Sequence, residues 1–493
     1  MRKLPPVILA DDFVEHYKIG WRVEPGVPDP HNPLLEPKFP WDSAGVGCGH
    51  GTVLKDPIDG KFKAWVTSLA QAPDNEVTAT SWQSYFRLTY LESDDGAEWR
   101  RPELDLCPFP GHPRTNILQD YDSGGTTTYA SVFIDPEENP EEPYEMFCFR
   151  NPGFHCPTMT VAGLNQKPRK SRQEVYGPGG TYGLYRYRSK DGLHWRAVEG
   201  PIGLKSGDTC HIHRDKKIGY VAHHKDCLPM PAGGFAPYDI AAQQGVRVNF
   251  RRTSSDGTHW TERQYLMSAD WRDHQADQIM ELGRHPYREG FIGLAAIYNA
   301  MNQTMNLQFA ASLDSAKWWR PLPRKPCLDN GPLGDYGSGM IWPTRTLIEH
   351  EGRLYTYYGA LDGLHGDIYS GEATALHFHG AWCRASWKIG RFWAAVPAEG
   401  GMSPGYLTTG MADAKGKKLF INATTGSGGK VEVELLDESR KPIPGFARKD
   451  CHPFGGDDEQ TGMAWEGHSA SPRNGVHVRF WLTKARLYGY EWR

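Results

Sequence analysis

One short string is written four times along this chain: SDDGAEW at Ser93 to Trp99, SKDGLHW at Ser189 to Trp195, SSDGTHW at Ser254 to Trp260 and SLDSAKW at Ser312 to Trp318. Each copy follows a stretch in which residues alternate with period two: YFRLTYLE, YGLYRYR, VRVNFRRT and MNLQFAA. Such alternation, rich in aromatic and β-branched side chains, marks a strand, and D-G is a tight-turn signal. The string therefore reads as a hairpin tip. Ser and Asp hydrogen-bond the local backbone, Gly supplies a positive φ, and Trp packs the returning strand against a neighbouring sheet. Recurrence itself argues against catalysis by these residues, since a reacting group is needed once and a structural turn once per unit.

A second kind of segment precedes each hairpin: residues 51 to 66, 130 to 149, 210 to 224, 278 to 296 and 344 to 359, each reading as strand, polar turn, strand. Joined to the following hairpin, each makes a four-stranded unit, and there are five. In the fifth, ASWKIGRFWAAV keeps only Ser386, Gly390 and Trp393 around a stretched turn. Four-stranded units in series predict a β-propeller. Beyond residue 398 the alternation continues without the turn string, in GYLTTG, KKLFINATT, GKVEVELLDE and GVHVRFWLTKARLYGYEW, which predicts a β-sandwich. The fold expected is all-β: a five-bladed β-propeller over residues 1–397, with an N-terminal extension at 1–39, and a C-terminal antiparallel β-sandwich over 398–493. The 55 glycines and 37 prolines suit short strands joined by many turns.

Charge and cysteine usage narrow the function classes. A formal net charge of −4 leaves no basic surplus for phosphates, so nucleic acid is not an expected partner. The first residues carry no recognisable export signal or membrane span, and nine cysteines without CxxC spacing predict reduced thiols rather than a disulfide framework or zinc ribbon. A cytoplasmic location is expected, although an exported chain trimmed of its leader would read the same. Oligomeric state is not readable from these features.

In a propeller the innermost strands begin at one face and gather residues there from every blade. The segments before those strands are WDSAGVGCGH, YDSGGTTT, KSGDT, DHQAD and GDYGSG. Carboxylates recur among them, and cleavage of a glycosidic bond needs two: one held protonated for the leaving oxygen, one ionised as nucleophile or base. Asp208 and Asp277 are the expected acid/base pair, with Asp335 and His50 as catalytic auxiliaries. The expected substrate contacts are Trp41, Asp42, Arg150, His211, Gln278, Trp342 and His365. They supply flat apolar faces and polar or bidentate groups suited to a carbohydrate. Imidazole with carboxylate is also metal chemistry, so a divalent cation is compatible with His50 and its neighbours, but no sharp metal motif is present and no cofactor is required. Two rivals stay open: a lyase using His and Arg on a uronic acid, and a non-catalytic glycan-binding propeller.

Taken together, HNPLLEP, PWD, GTVLKDPIDGKFKAWV, the S-x-D-G-x-x-W strings, SGDT, GDYGSGMI and GGKVEVELLDESRKPIPGF resemble the five-bladed propeller glycoside hydrolases related to the invertase-like (family 32) and arabinanase-like (family 43) enzymes, in a bacterial branch with a C-terminal sandwich. The resemblance implies a glycosidase that degrades oligo- or polysaccharide. The invertase-like motifs W-M-N-D-P-N-G, R-D-P and E-C are absent: the nucleophile's place falls near Gly49-His50, and Arg272-Asp273 is not followed by Pro. An inverting hydrolase, or a metal- or His-assisted one, fits these residues better than a retaining fructosidase.

Overall fold

The computed structural model describes residues 4–9, 12–48, 51–69, 86–109, 111–119, 126–151, 183–202, 209–228, 246–365, 379–398 and 404–493. Among them there is no α-helix, and most of the strands belong to a β-propeller. The first blade runs outward through Gly51–Lys55, Phe62–Leu69, Phe86–Ser93 and Trp99–Arg100, with Ile117–Gln119 sharing its outer edge. The second is Thr126–Ile134, Tyr144–Asn151, Gly183–Ser189 and Arg196–Ile202, and the third is Cys210–Asp215, Gly219–Leu228, Val246–Ser254 and Gln264–Met267. The fourth holds Asp277–Leu282, Gly290–Asn299 and Thr304–Ser312, and the fifth Met340–His350, Arg353–Leu361 and Gly380–Lys388. A single parallel pair, Met305 with Met340, links these last two.

The outermost strand of the fifth blade is Val27–Pro28, paired to Ala385 and Ser386. The sequence reading had placed a stretched hairpin there instead. The segment meant for it, Trp393–Pro397, pairs with Ile19–Val23 and joins the C-terminal sheet, where Trp393 packs on Phe309 of the fourth blade and on Trp319.

The turn strings do what their composition dictates. In the first, Ser93 Oγ accepts from Gly96 N at 2.8 Å, Asp95 Oδ1 accepts from Ala97 N and Glu98 N, and Trp99 Nε1 donates to Gly96 O at 3.0 Å. Gly96, Gly192 and Gly257 sit at φ of 78°, 75° and 83°, and Ser315 holds the same position at 62°. Each turn also grips the blade before it. Gly96 O accepts from Tyr357 Oη and Arg384 of the fifth blade, Gly192 O from Trp65 Nε1 of the first, and Asp256 O from Arg186 of the second. Trp318 meets His223 of the third blade edge-on at 5.7 Å. The strings are thus latches between blades.

Side chains plug the axis. Arg345, from the fifth blade, donates to Thr52 Oγ1 at 2.8 Å, to Ile212 O at 3.0 Å and to Val132 O, so one guanidinium ties the inner strands of three other blades. Burial without a carboxylate pushes its pKa down to about 9. The remaining inner strand is joined by His211 Nε2 and Glu281 Oε2, 2.6 Å apart and both buried.

The terminal module is one sheet folded over itself. Leu419–Leu436 and His477–Trp492 run its length and bend together, at a register shift between Thr425 and Lys430 where the sequence reads GSGG, opposite Lys484 at φ 44°. One half of the fold carries Phe13–Tyr17 and Gly405–Thr409; the other carries Ile19–Val23 and Trp393–Pro397. This module therefore draws on both chain ends, across the boundary expected at 397/398. Its core is continuous with that of the fourth and fifth blades. Asn422 Nδ2 donates to Gly390 O at 2.9 Å, so the fifth blade's remnant turn latches onto the sandwich.

Candidate functional site

Inner strands start at Gly51, Thr126, Cys210, Asp277 and Met340, and the connection between second and third strands leaves from the same end in every blade. Four of these connections are long and carry residues 70–85, 152–182, 229–245 and 366–378, outside the described residues; the fourth blade's, between Asn299 and Thr304, is short. The fourth blade is accordingly described in full at this face, at its seam with blades three and five.

Asp277 stands at the mouth of that seam. Asn299 Nδ2 donates to its Oδ1 at 2.8 Å and His274 N to Oδ2 at 3.3 Å. Burial raises its pKa, against the lowering effect of these two hydrogen bonds. A half-buried carboxyl biased toward its protonated form and fixed in orientation is the arrangement a proton donor requires.

Beneath it lies a layer that strand alternation alone did not single out. Arg247 Nη1 donates to Gln278 Oε1 at 2.9 Å, and its guanidinium lies 4.5 Å from the Tyr298 ring. His365 packs on the same tyrosine with ring centroids 4.8 Å apart. Blades three, four and five thus each contribute to one buried polar stack, in which Gln278 orients Arg247 and His365 braces Tyr298. Nearby, Lys225 Nζ lies 3.5 Å from Met280 Sδ, and Asn249 Nδ2 donates to Ile279 O at 2.7 Å, closing the seam between blades three and four.

Other expected residues are placed elsewhere. Trp41 is 2% exposed, stacked on Phe39 at 4.6 Å, with Nε1 donating to Asn116 Oδ1; its faces are taken by protein. Asp42 is 1% exposed, accepts from Lys38 N and Phe39 N and pairs with Arg101 Nε at 2.7 Å, so it holds a turn. Trp342 belongs to the main core. His211 sits in the axial plug rather than at the mouth, next to a cavity with room for about one water. Asp335 is exposed and lines a separate 650 Å³ pocket with Asp329, Tyr336, Asp362 and His379, to which Asp277 does not contribute. His50 and Asp208 lie outside the described residues, as does the Arg150 side chain; the Arg150 backbone is next to last in the second strand of the second blade.

The remaining inner histidines are core groups. Burial drives His213 well below its ordinary pKa, His223 down to about 3 and His224 to about 4, so all three are neutral near pH 7. Among the described residues no group of three or more His, Cys, Asp or Glu is arranged to hold a metal ion. No helix among them is long and apolar enough to cross a membrane.

No protein-family profile matches the sequence, and no curated protein matches it. Among solved structures, the chain is similar to a β-1,2-mannobiose phosphorylase from Listeria innocua in complex with β-1,2-mannobiose, with 13% identity over 74% of this chain and 98% of that one and a TM-score of 0.48. It is also similar to an N-acetylgalactosamine deacetylase from F. plautii in complex with blood group B trisaccharide, with 16% identity, coverage of 74% and 96% and a TM-score of 0.44. A third is a family 43 arabinoxylan arabinofuranohydrolase from Bacillus subtilis in complex with cellotetraose, with 11% identity, coverage of 94% and 97% and a TM-score of 0.42.

Proposed function

We propose that this chain is a glycoside hydrolase that releases a terminal sugar from an oligo- or polysaccharide, with inversion, and that Asp277 is its general acid. The observation that supports this most directly is the Asp277 carboxyl: half-buried at the mouth of an inner strand, raised in pKa by burial and held by Asn299. Its proposed partner is Asp208, two residues ahead of the third blade's inner strand, acting as base on a water. The Arg247, Gln278, Tyr298 and His365 stack braces the seam next to Asp277. Asp335 and His50 are left outside the reacting pair.

Asp277→Asn and Asp208→Asn, assayed on a panel of aryl glycosides and natural oligosaccharides, test the reading. Each is expected to lower turnover of natural substrates by about 10²–10⁴-fold. Asp277→Asn should lose less on aryl glycosides whose leaving group needs no proton. Because the acid must be protonated, wild-type turnover should fall as pH rises through the Asp277 pKa, and the Asn variant should lack that limb. Full turnover by both variants on every cleaved glycan would refute the assignment, and an unsaturated, ultraviolet-absorbing product would replace hydrolysis by elimination.

A further inference from the structure

Away from the mouth of the propeller, a 1520 Å³ cleft runs between the outer side of the fourth blade and the bend of the folded-over sheet. Its walls include Trp21 and Arg22 from Ile19–Val23, Lys325 from the loop after the fourth blade, and Lys484 and Arg486 from the bend itself. In a chain with 55 Lys and Arg against 59 Asp and Glu, four of the lining residues are cationic and none is a carboxylate. Glu24, behind the wall, pairs with Arg22 at 3.3 Å and with Arg486 at 3.0 Å. Lys325 and Lys484 are exposed and form no ion pair among the described residues.

Trp21 gives the cleft a flat apolar wall. It is half-buried, wedged between Trp319 at 5.4 Å and Phe13 at 6.3 Å, so its orientation is fixed before any ligand arrives. A rigid aromatic face beside two uncommitted ammonium groups suits a ligand that is apolar on one side and anionic on another. We propose that this cleft binds an oligosaccharide bearing carboxylate or sulfate groups, one ring on Trp21 and its anions on Lys325 and Lys484. A single-stranded nucleic acid would want successive aromatic platforms along a basic track. Here prolines and threonines flank one tryptophan, in a molecule of net negative charge. The site is independent of the Asp277 assignment.

The test uses the full chain and a Lys325→Gln/Lys484→Gln double variant, with a fluorescein-labelled oligogalacturonate, a sulfated dextran oligomer, a neutral xylo-oligosaccharide and oligothymidylate as probes. At low salt the wild type should bind at least one of the two anionic sugars, more weakly as salt rises, and bind the neutral one far less at this cleft. The double variant should weaken that binding roughly fivefold and flatten its salt dependence. Both lysines are exposed, so an unchanged melting temperature is expected, and turnover of neutral aryl glycosides at the propeller mouth should be unchanged. A Trp21→Leu variant should lose affinity without losing the salt dependence. The proposal is overturned if neither anionic sugar binds the wild type, if the double variant binds as tightly, or if oligothymidylate binds as well as the sugars. A failed Asp277 assay leaves these readouts untouched, so the two assignments fall separately.

Discussion

Asp277 carries a stability signature as well as a chemical one. Its folded pKa lies above the ordinary carboxylate value, so ionisation is resisted in the native state, and its contribution to stability is lost as pH rises through that pKa. Asn in its place keeps one accepting oxygen for Asn299, loses the long hydrogen bond from His274 N and abolishes the charge. Because the burial penalty falls on the charged form, the stability of Asp277→Asn relative to wild type is expected to rise with pH through the Asp277 pKa. Thermal unfolding across pH checks this. A relative stability that falls as pH rises would mean the carboxylate is favourably held and a poor acid. The place of Asp277 at the head of an inner strand was legible in the sequence because DHQAD precedes the fourth blade's first strand as KSGDT precedes the third's. Arg247 and Tyr298 were not, since each sits inside an alternating strand where a functional side chain and a packing one obey the same period. Trp41 and Asp42 show the converse: a loop that reads as surface is sealed by Phe39, Phe109 and Arg101, contacts no local pattern reveals.

The turn strings were the most legible elements, because their Ser, Asp and Gly act on backbone within three residues. What the local pattern could not reveal is where the far side of each turn rests. A Cβ added at Gly96 would lie 2.6 Å from Tyr357 Oη, in a backbone conformation at φ 78° that already disfavours it. Gly60 has a nearly identical φ, 76°, with nothing within 4 Å. Gly60→Ala should then cost about 1 kcal/mol from backbone strain alone. Gly96→Ala should cost about 3 kcal/mol, because the latch to the fifth blade must also shift. Denaturant titration of the two variants separates the terms, and equal losses would show that the latch adds nothing.

At the scale of the whole molecule, both modules depend on the first residues of the chain. Ile19–Val23 and Phe13–Tyr17 belong to the sandwich and Val27–Pro28 to the fifth blade, with Asn32 hydrogen-bonded to Arg384 across the ring's last edge. Deleting residues 1–28 should thus destabilise propeller and sandwich together, and calorimetry of the intact chain should show one unfolding transition rather than two. The sequence foretold two architectures in series, but not this shared end. Strand pairing between residues hundreds of positions apart leaves no periodic trace in either partner.

The same closure sets a schedule for synthesis. The segment that completes the ring is made before the blades, and its partner at Gly380–Lys388 emerges some 350 residues later, as the 352-residue separation of Asn32 and Arg384 records. At ribosomal rates of roughly 5–20 residues per second, that is about 20–70 s during which the nascent amino-terminal strands have no edge to join.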